Sequence, residues 1–303
     1  MTDSIARVPT VVFFSSSALF HYLGPAFAVL LFTSIAPLGV AWLRIVTAAL
    51  VFALWRKPWR TFAKLRWPER RLVVGLGFVL AAMNISFYLA IARLPLATVG
   101  AIEFVGPVAL AAIGVRGVRN GVALAVAVGG VALLTHARLV GETLGYLLAF
   151  ANAALFVTYV VIGHRLAGSG GLNGIDRLAA AMLVAAVTAA PFGLMAAVPA
   201  FGSLLLLVAA IGVGVSSSVI PYIADQFAMA RLPRSTFALM LSVLPATATV
   251  IGIVVLRQLP SVAEFIGIAL ITAGVAIHRP SQNVAHAQQP HRPAVISDMD
   301  SHR

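Results

Sequence analysis

Cysteine is absent from the chain, which removes disulfides, thiolate metal ligands and cysteine nucleophiles together. Charge is nearly as scarce. Asp, Glu, Lys and Arg make up 10% of the 303 residues while 61% are hydrophobic, against roughly a quarter charged and half apolar in a soluble domain. A chain with so little charge has no surface to offer water, and a soluble globular fold is excluded. Acidic residues are the scarcest, 9 against 21 basic, for a net charge of +12. In a soluble protein that excess would suit nucleic acid. Here the basic residues sit in short segments between apolar runs, where they set membrane topology, so no nucleic-acid partner is expected. Enzyme signatures are missing as well: there is no HExxH, no GxSxG, no Walker lysine and no carboxylate cluster at metal spacing. No cofactor or metal is expected. The N-terminus lacks the basic, apolar and small-residue blocks of a cleaved leader, so its first apolar segment is expected to stay as a helix.

What the chain does have is long apolar runs. A spanning helix needs about 20 apolar residues, and uncharged stretches of that size run from Leu72 to Ala92, Thr143 to Gly163, Leu178 to Ala224 and Ser235 to Leu256. Breaks at charged, Gly and Pro clusters predict ten helices, near 10–31, 36–55, 72–92, 95–115, 120–136, 142–164, 175–197, 203–230, 235–256 and 262–278. The fold expected is an all-α integral membrane protein whose partners are the bilayer and a small-molecule substrate. With the N-terminus inside, 17 of the 21 basic residues fall in cytoplasmic segments, seven of them between Arg56 and Arg71, and both termini are expected in the cytoplasm. The 56–71 segment, with Trp55, Trp59 and Trp67, also reads as a short amphipathic helix lying at the interface. From 279 onward the chain is rich in His, Gln, Ser and Pro and reads as a disordered cytoplasmic tail. The spacing of His286, His291 and His302 there fits no metal site.

The segment AIARLPLATVGAIEFVGP, residues 90–107, lies over AMARLPRSTFALMLSVLP, residues 228–245, sharing the Arg-Leu-Pro turn, a threonine and a final proline. The copies sit at the third-to-fourth and eighth-to-ninth helix connections. A shift of five helices inverts the orientation, which predicts two inverted five-helix repeats, 1–138 and 139–278. Carriers use that architecture to build a midplane site that opens alternately to each side.

Ionisable groups inside a bilayer cost on the order of 3 kcal/mol or more and mark functional sites. Glu103 lies in mid-helix, four residues before Pro107, whose missing N–H frees the Glu103 carbonyl. It is the leading candidate for substrate or proton binding. Arg44, in the second helix, is the nearest candidate cation, and a structural Glu103–Arg44 pair is the alternative reading. Asp225 follows Gly214, Ser217, Ser218, Pro221 and Tyr222 at helical spacing, a polar stripe that lines a path or serves as interhelical glue. Pro221 frees the carbonyl of Ser217. Asn84 with Tyr88, and Asn152 with Tyr159, share helix faces. His21, four residues before Pro25, is a buried histidine or a proton relay.

APLGVAWLR with Arg44, MNISFYLAIARLPLATVGAIEFVGP with Glu103, and IPYIADQFAMARLPRSTFALMLSVLPA together resemble the EamA-type members of the drug/metabolite transporter superfamily, most of all its threonine/homoserine exporters. The resemblance touches both halves of the chain. It implies ion-driven efflux, with protons as the coupling ion, a cavity between two bundles and a bacterial inner membrane. It also exposes two departures. Such exporters carry Glu immediately before the proline of the second repeat, where this chain has Leu244 before Pro245; Asp225 is the candidate replacement charge. The Gly-Glu pair that usually ends the ninth helix reads Arg257-Gln258. A drug or organic-cation exporter of the same superfamily is the main alternative, and a membrane-embedded enzyme with catalytic groups drawn from separate helices is a more distant one.

Overall fold

The computed structural model describes residues 10–114, 118–136, 142–167, 174–224 and 244–277. Among them lie eleven helices and no strand: α1 (Thr10–Leu31), α2 (Pro37–Arg56), α3 (Pro58–Lys64), α4 (Trp67–Ile91), α5 (Leu96–Gly114), α6 (Val118–His136), α7 (Thr143–Ala167), α8 (Gly174–Phe201), α9 (Leu204–Ala224, with a π-helical turn at Val215–Val219), α10 (Leu244–Leu256) and α11 (Val262–Ile277). Each sequence-predicted helix has a described counterpart, and the boundaries differ by a few residues except at 225–243, where the predicted end of the eighth helix and start of the ninth lie outside the described residues. Asp225, the second Arg-Leu-Pro turn and the 279–303 tail lie outside the described residues.

Helix ends follow local chemistry. Pro37 opens α2, where a missing N–H costs nothing. Lys57 closes it in the left-handed conformation and hands the chain to α3. At the start of α4 the Arg66 amide donates to Glu69 Oε2 at 3.1 Å, the return half of a capping box. Ser203 caps α9. The α4–α5 turn is drawn tight by the Arg93 and Leu94 amides donating to the Ala90 carbonyl, and Pro95 then supplies the first carbonyls of α5.

α2, α4, α7, α8 and α9 are long and apolar enough to cross a membrane, and the remaining long helices carry shorter apolar stretches. Large apolar side chains point outward along the bundle, among them Leu54, Met195, Leu204, Leu205 and Val254, each more than 70% exposed. Such a surface is an aggregation hazard in water and the right one for lipid. The interior is held by small residues that let backbones approach. On α2 against α8, Gly39 meets the Ala196 carbonyl and Gly193 meets Leu38 and Trp42. On α6 against α11, Gly130 meets Gly267, while Gly274 meets Ala123 and Ala127. In both pairs each helix offers a glycine to the other.

α3 fills the segment read as an interface helix, and Trp55, Trp59 and Trp67 are all exposed around it. The same end of the bundle is tied by ion pairs. Arg56 Nε lies 2.7 Å from Asp176 Oδ1, and Arg177, buried, reaches Glu69 Oε1 at 3.4 Å and the Leu166 carbonyl. These contacts join α2 and α4 to α7 and α8. At the other end a cavity of about 460 Å³ is lined by Val29, Phe32, the 91–95 turn, Gln258 and Leu259.

Candidate functional site

Glu103 is buried in α5 and is reached from two other helices. Asn152 of α7 donates through Nδ2 to Oε1 at 3.0 Å. Tyr22 of α1, wholly buried, donates its hydroxyl to Oε2 at 3.4 Å. His21 Nε2 stands 3.9 Å from the same oxygen, and its ring packs edge-on against Tyr22. Two neutral donors and one titratable ring therefore surround the carboxylate, and Asn152 Oδ1, also buried, has no hydrogen-bond partner among the described residues. A carboxylate beside an empty amide acceptor is an environment that attracts a proton or an ammonium group.

Arg44 is buried in α2, and its Nε and Nη2 both reach α9: Nε donates to Ser218 Oγ at 2.7 Å and Nη2 to the Ser217 carbonyl at 2.8 Å. The sequence explains this contact. Pro221 has no N–H to return to Ser217, and the backbone answers with a π turn in which the Ile220 amide bonds the Val215 carbonyl. π turns of this kind leave carbonyls open to outside partners. The structural Glu103–Arg44 pair considered from sequence is not formed: Arg44 makes no ion pair among the described residues, because the freed carbonyl lies within its reach and Glu103 is served by neutral donors instead. A buried charge without a counter-ion costs several kcal/mol. Arg44 also lies over the ring of Tyr88, 5.4 Å from its centroid, and the Tyr88 hydroxyl is buried with no partner among the described residues.

One turn of α1 touches the surroundings of both charges. Tyr22 reaches Glu103, and two residues on, Gly24 packs so closely on Ser217 that an added Cβ would lie 2.4 Å from the serine Cβ.

The other sequence candidates divide. Ser217 and Tyr222 are buried on α9 with Ser218. Tyr159 stacks on Phe156 and leans on Tyr222, and Phe156 meets Phe104 beside Glu103, so an aromatic chain runs from α5 through α7 to α9. Asn84 is buried but turned back on its own helix, donating to the Leu80 carbonyl at 2.8 Å, and is not brought to either charge. Pro107 lies inside α5 and Pro221 inside α9, whereas Pro245, buried in α10, has its carbonyl held by Thr249 at 2.9 Å. Leu244 is buried among apolar side chains.

Arg257 takes a left-handed φ of 55°, the conformation that favours glycine, with its amide on the Ile253 carbonyl. Gln258 Oε1 accepts the Leu96 amide at 3.0 Å and so caps α5. At these two residues the chain makes a left-handed turn followed by a neutral cap.

Sequence reasoning passed over Tyr22, Arg177 and Glu264. Tyr22 adjoins His21 ahead of Pro25 and carries no other signal. Arg177 was counted with the loop charges. Glu264, buried at the start of α11, accepts the Ser261 amide at 2.8 Å in a Ser-x-x-Glu capping box visible in the sequence.

A lipid-facing helical bundle with opposite charges buried near one helix turn, and with proline-disturbed backbone beside one of them, defines a membrane transporter. The EamA-like transporter family model matches residues 143–278. The chain is 31% identical over 259 residues to the threonine/homoserine exporters RhtA of Salmonella typhimurium and of Escherichia coli K12, an alignment covering 82% of this chain and 84% of theirs. This chain belongs to that family of transporters. A protein of known crystal structure shares the fold across 93% of this chain and 98% of its own, with a TM-score of 0.57 and 22% identity.

Proposed function

We propose that the chain is a proton-coupled exporter of small amino acids of the threonine/homoserine kind in a bacterial inner membrane, with both termini cytoplasmic, and that Glu103 binds in turn the coupling proton and the substrate ammonium. The observation that carries this reading is the buried carboxylate facing Asn152, Tyr22 and His21. One group that takes either a proton or an ammonium couples the two without a second acidic site, which suits a chain whose second repeat has Leu244 in place of glutamate. The relatives named as threonine/homoserine exporters support the substrate class.

Two inverted halves, 1–138 and 139–278, carry the alternation. Support comes from the packing: α2 with α8, α5 with α10 and α6 with α11 are close neighbours, and in each pair the second helix is the fifth membrane helix after the first. The glycines exchanged within two of these pairs fit the same two-fold relation. On the predicted topology the Arg56–Asp176 and Glu69–Arg177 ties lie at the cytoplasmic end and the cavity beside Gln258 at the outer end, an arrangement suited to an inward-closed conformer.

An organic-cation exporter is the second reading, favoured by the aromatic chain from Phe104 to Tyr222. Arg44, buried without an ion pair among the described residues, weighs against it. Uptake of labelled threonine and homoserine into inverted vesicles, with and without an imposed proton gradient, tests the proposal. Gradient-dependent uptake supports it. No uptake of either solute by protein shown to be inserted, with uptake of organic cations, would hand the case to the second reading.

A further inference from the structure

We propose that Arg44 and Tyr88 form a carboxylate clamp, so that the site grips an amino acid at both ends: ammonium at Glu103 and Asn152, carboxylate at Arg44 and Tyr88. The inference rests on the amino-acid reading above and assigns the specificity of that site.

A guanidinium has five N–H donors arranged along two useful edges. The Nε/Nη2 edge of Arg44 is occupied by Ser218 Oγ and the Ser217 carbonyl. Both hydrogens on Nη1 and one on Nη2 have no acceptor among the described residues. This end-on edge is the fork that matches two carboxylate oxygens. Because α9 fixes the other edge, the fork is held in one orientation before any ligand arrives.

Tyr88 supplies the independent observation. Its ring lies against the guanidinium, and its hydroxyl is sealed from solvent without a hydrogen-bond partner among the described residues. Buried hydroxyls are nearly always satisfied. One placed beside a cation with an empty fork calls for an anionic acceptor, to which both can donate. The empty acceptor on Asn152, beside Glu103, has the opposite preference. Unpartnered donor next to cation and unpartnered acceptor next to anion are the complement of a zwitterion. Tyr22 and Gly24, two residues apart on α1, set Glu103 and Ser217, whose carbonyl Arg44 holds, against the same stretch of that helix. A drug-like cation would leave Arg44 and Tyr88 empty, so the clamp selects for a free carboxylate.

The test measures binding to the purified full-length chain, by thermal shift and by equilibrium binding. Threonine, homoserine and phenylalanine are each compared with the matching primary amide at a pH where both amines are protonated. The acids should bind at least tenfold more tightly than the amides. Tyr88→Phe should narrow that ratio severalfold, and Arg44→Lys, which keeps the charge and loses the fork, should narrow it further. Because Arg44 also joins α2 to α9, Tyr88→Phe carries the test if the lysine variant does not fold. Equal binding of acid and amide, or a ratio unchanged in Tyr88→Phe, overturns the clamp. If threonine and homoserine fail as transported substrates while phenylalanine is still preferred over its amide, the clamp stands and the substrate assignment falls.

Discussion

Glu103 and Arg44 are both buried charges, yet the fold satisfies them by opposite means. Glu103 is met by side chains from α1 and α7, and all its partners are neutral or titratable. Arg44 is met by the backbone of α9, through a carbonyl that Pro221 cannot bond and a serine beside it. Side-chain partners turn with their rotamers, whereas a π-helical carbonyl moves only with its helix. In the function proposed above, that difference leaves the carboxylate to exchange ligands and the guanidinium to stay fixed while they pass. A fixed cation and an exchangeable anion give a transporter a constant orienting group and a variable coupling group.

That contrast can be broken most severely at Glu103. Glu103→Gln keeps the shape and removes the charge, and gradient-driven uptake should fall by about 100-fold or more, a barrier change of about 3 kcal/mol, with insertion unchanged by protease mapping. Gly24→Ala attacks the other side. Its methyl would press on the Cβ of Ser217 and on its backbone Cα and N, and overpacking of this kind costs about 1–3 kcal/mol. Thermal unfolding in detergent should show the loss, and it should be absent in Gly75→Ala, where an added Cβ meets nothing. Matched deletions then sharpen the comparison. A hydrogen bond to a charged group contributes about 1.5–3 kcal/mol, so Ser218→Ala, removing the 2.7 Å contact to Arg44, should lower stability by about 2 kcal/mol. Tyr22→Phe, removing a 3.4 Å contact to Glu103, should cost about 1 kcal/mol or less by the same measure and should alter the pH dependence of transport instead. The smallest effect belongs to neither charge: Arg257→Gly relieves a left-handed side chain and should raise stability by about 0.5–1 kcal/mol, leaving transport untouched.

Much of this was legible before the structure. Apolar runs and basic breaks place the described membrane helices, because in a bilayer each span must satisfy its own backbone and so shows its length in sequence. Glu103, Arg44 and the freed Ser217 carbonyl could each be found singly, the last from Pro221 alone. Their pairing could not. Opposite charges suggest a bridge, but Arg44 is aimed by the packing of α2 against α9, which no local pattern encodes. Tyr22 was hidden for the same reason: a tyrosine in an apolar helix carries no sign of the carboxylate across from it. Asn84, which looked like a partner for Tyr88, is taken by its own Leu80 carbonyl, an outcome that depends on one rotamer.

The most direct test of the central claim is threonine flux in proteoliposomes bearing the full chain, measured as exchange at equal pH on both sides and as accumulation against an imposed pH gradient. The account predicts that the wild type does both, while Glu103→Gln loses accumulation far more severely than exchange. Accumulation undiminished in Glu103→Gln would contradict it, placing proton coupling on some other group.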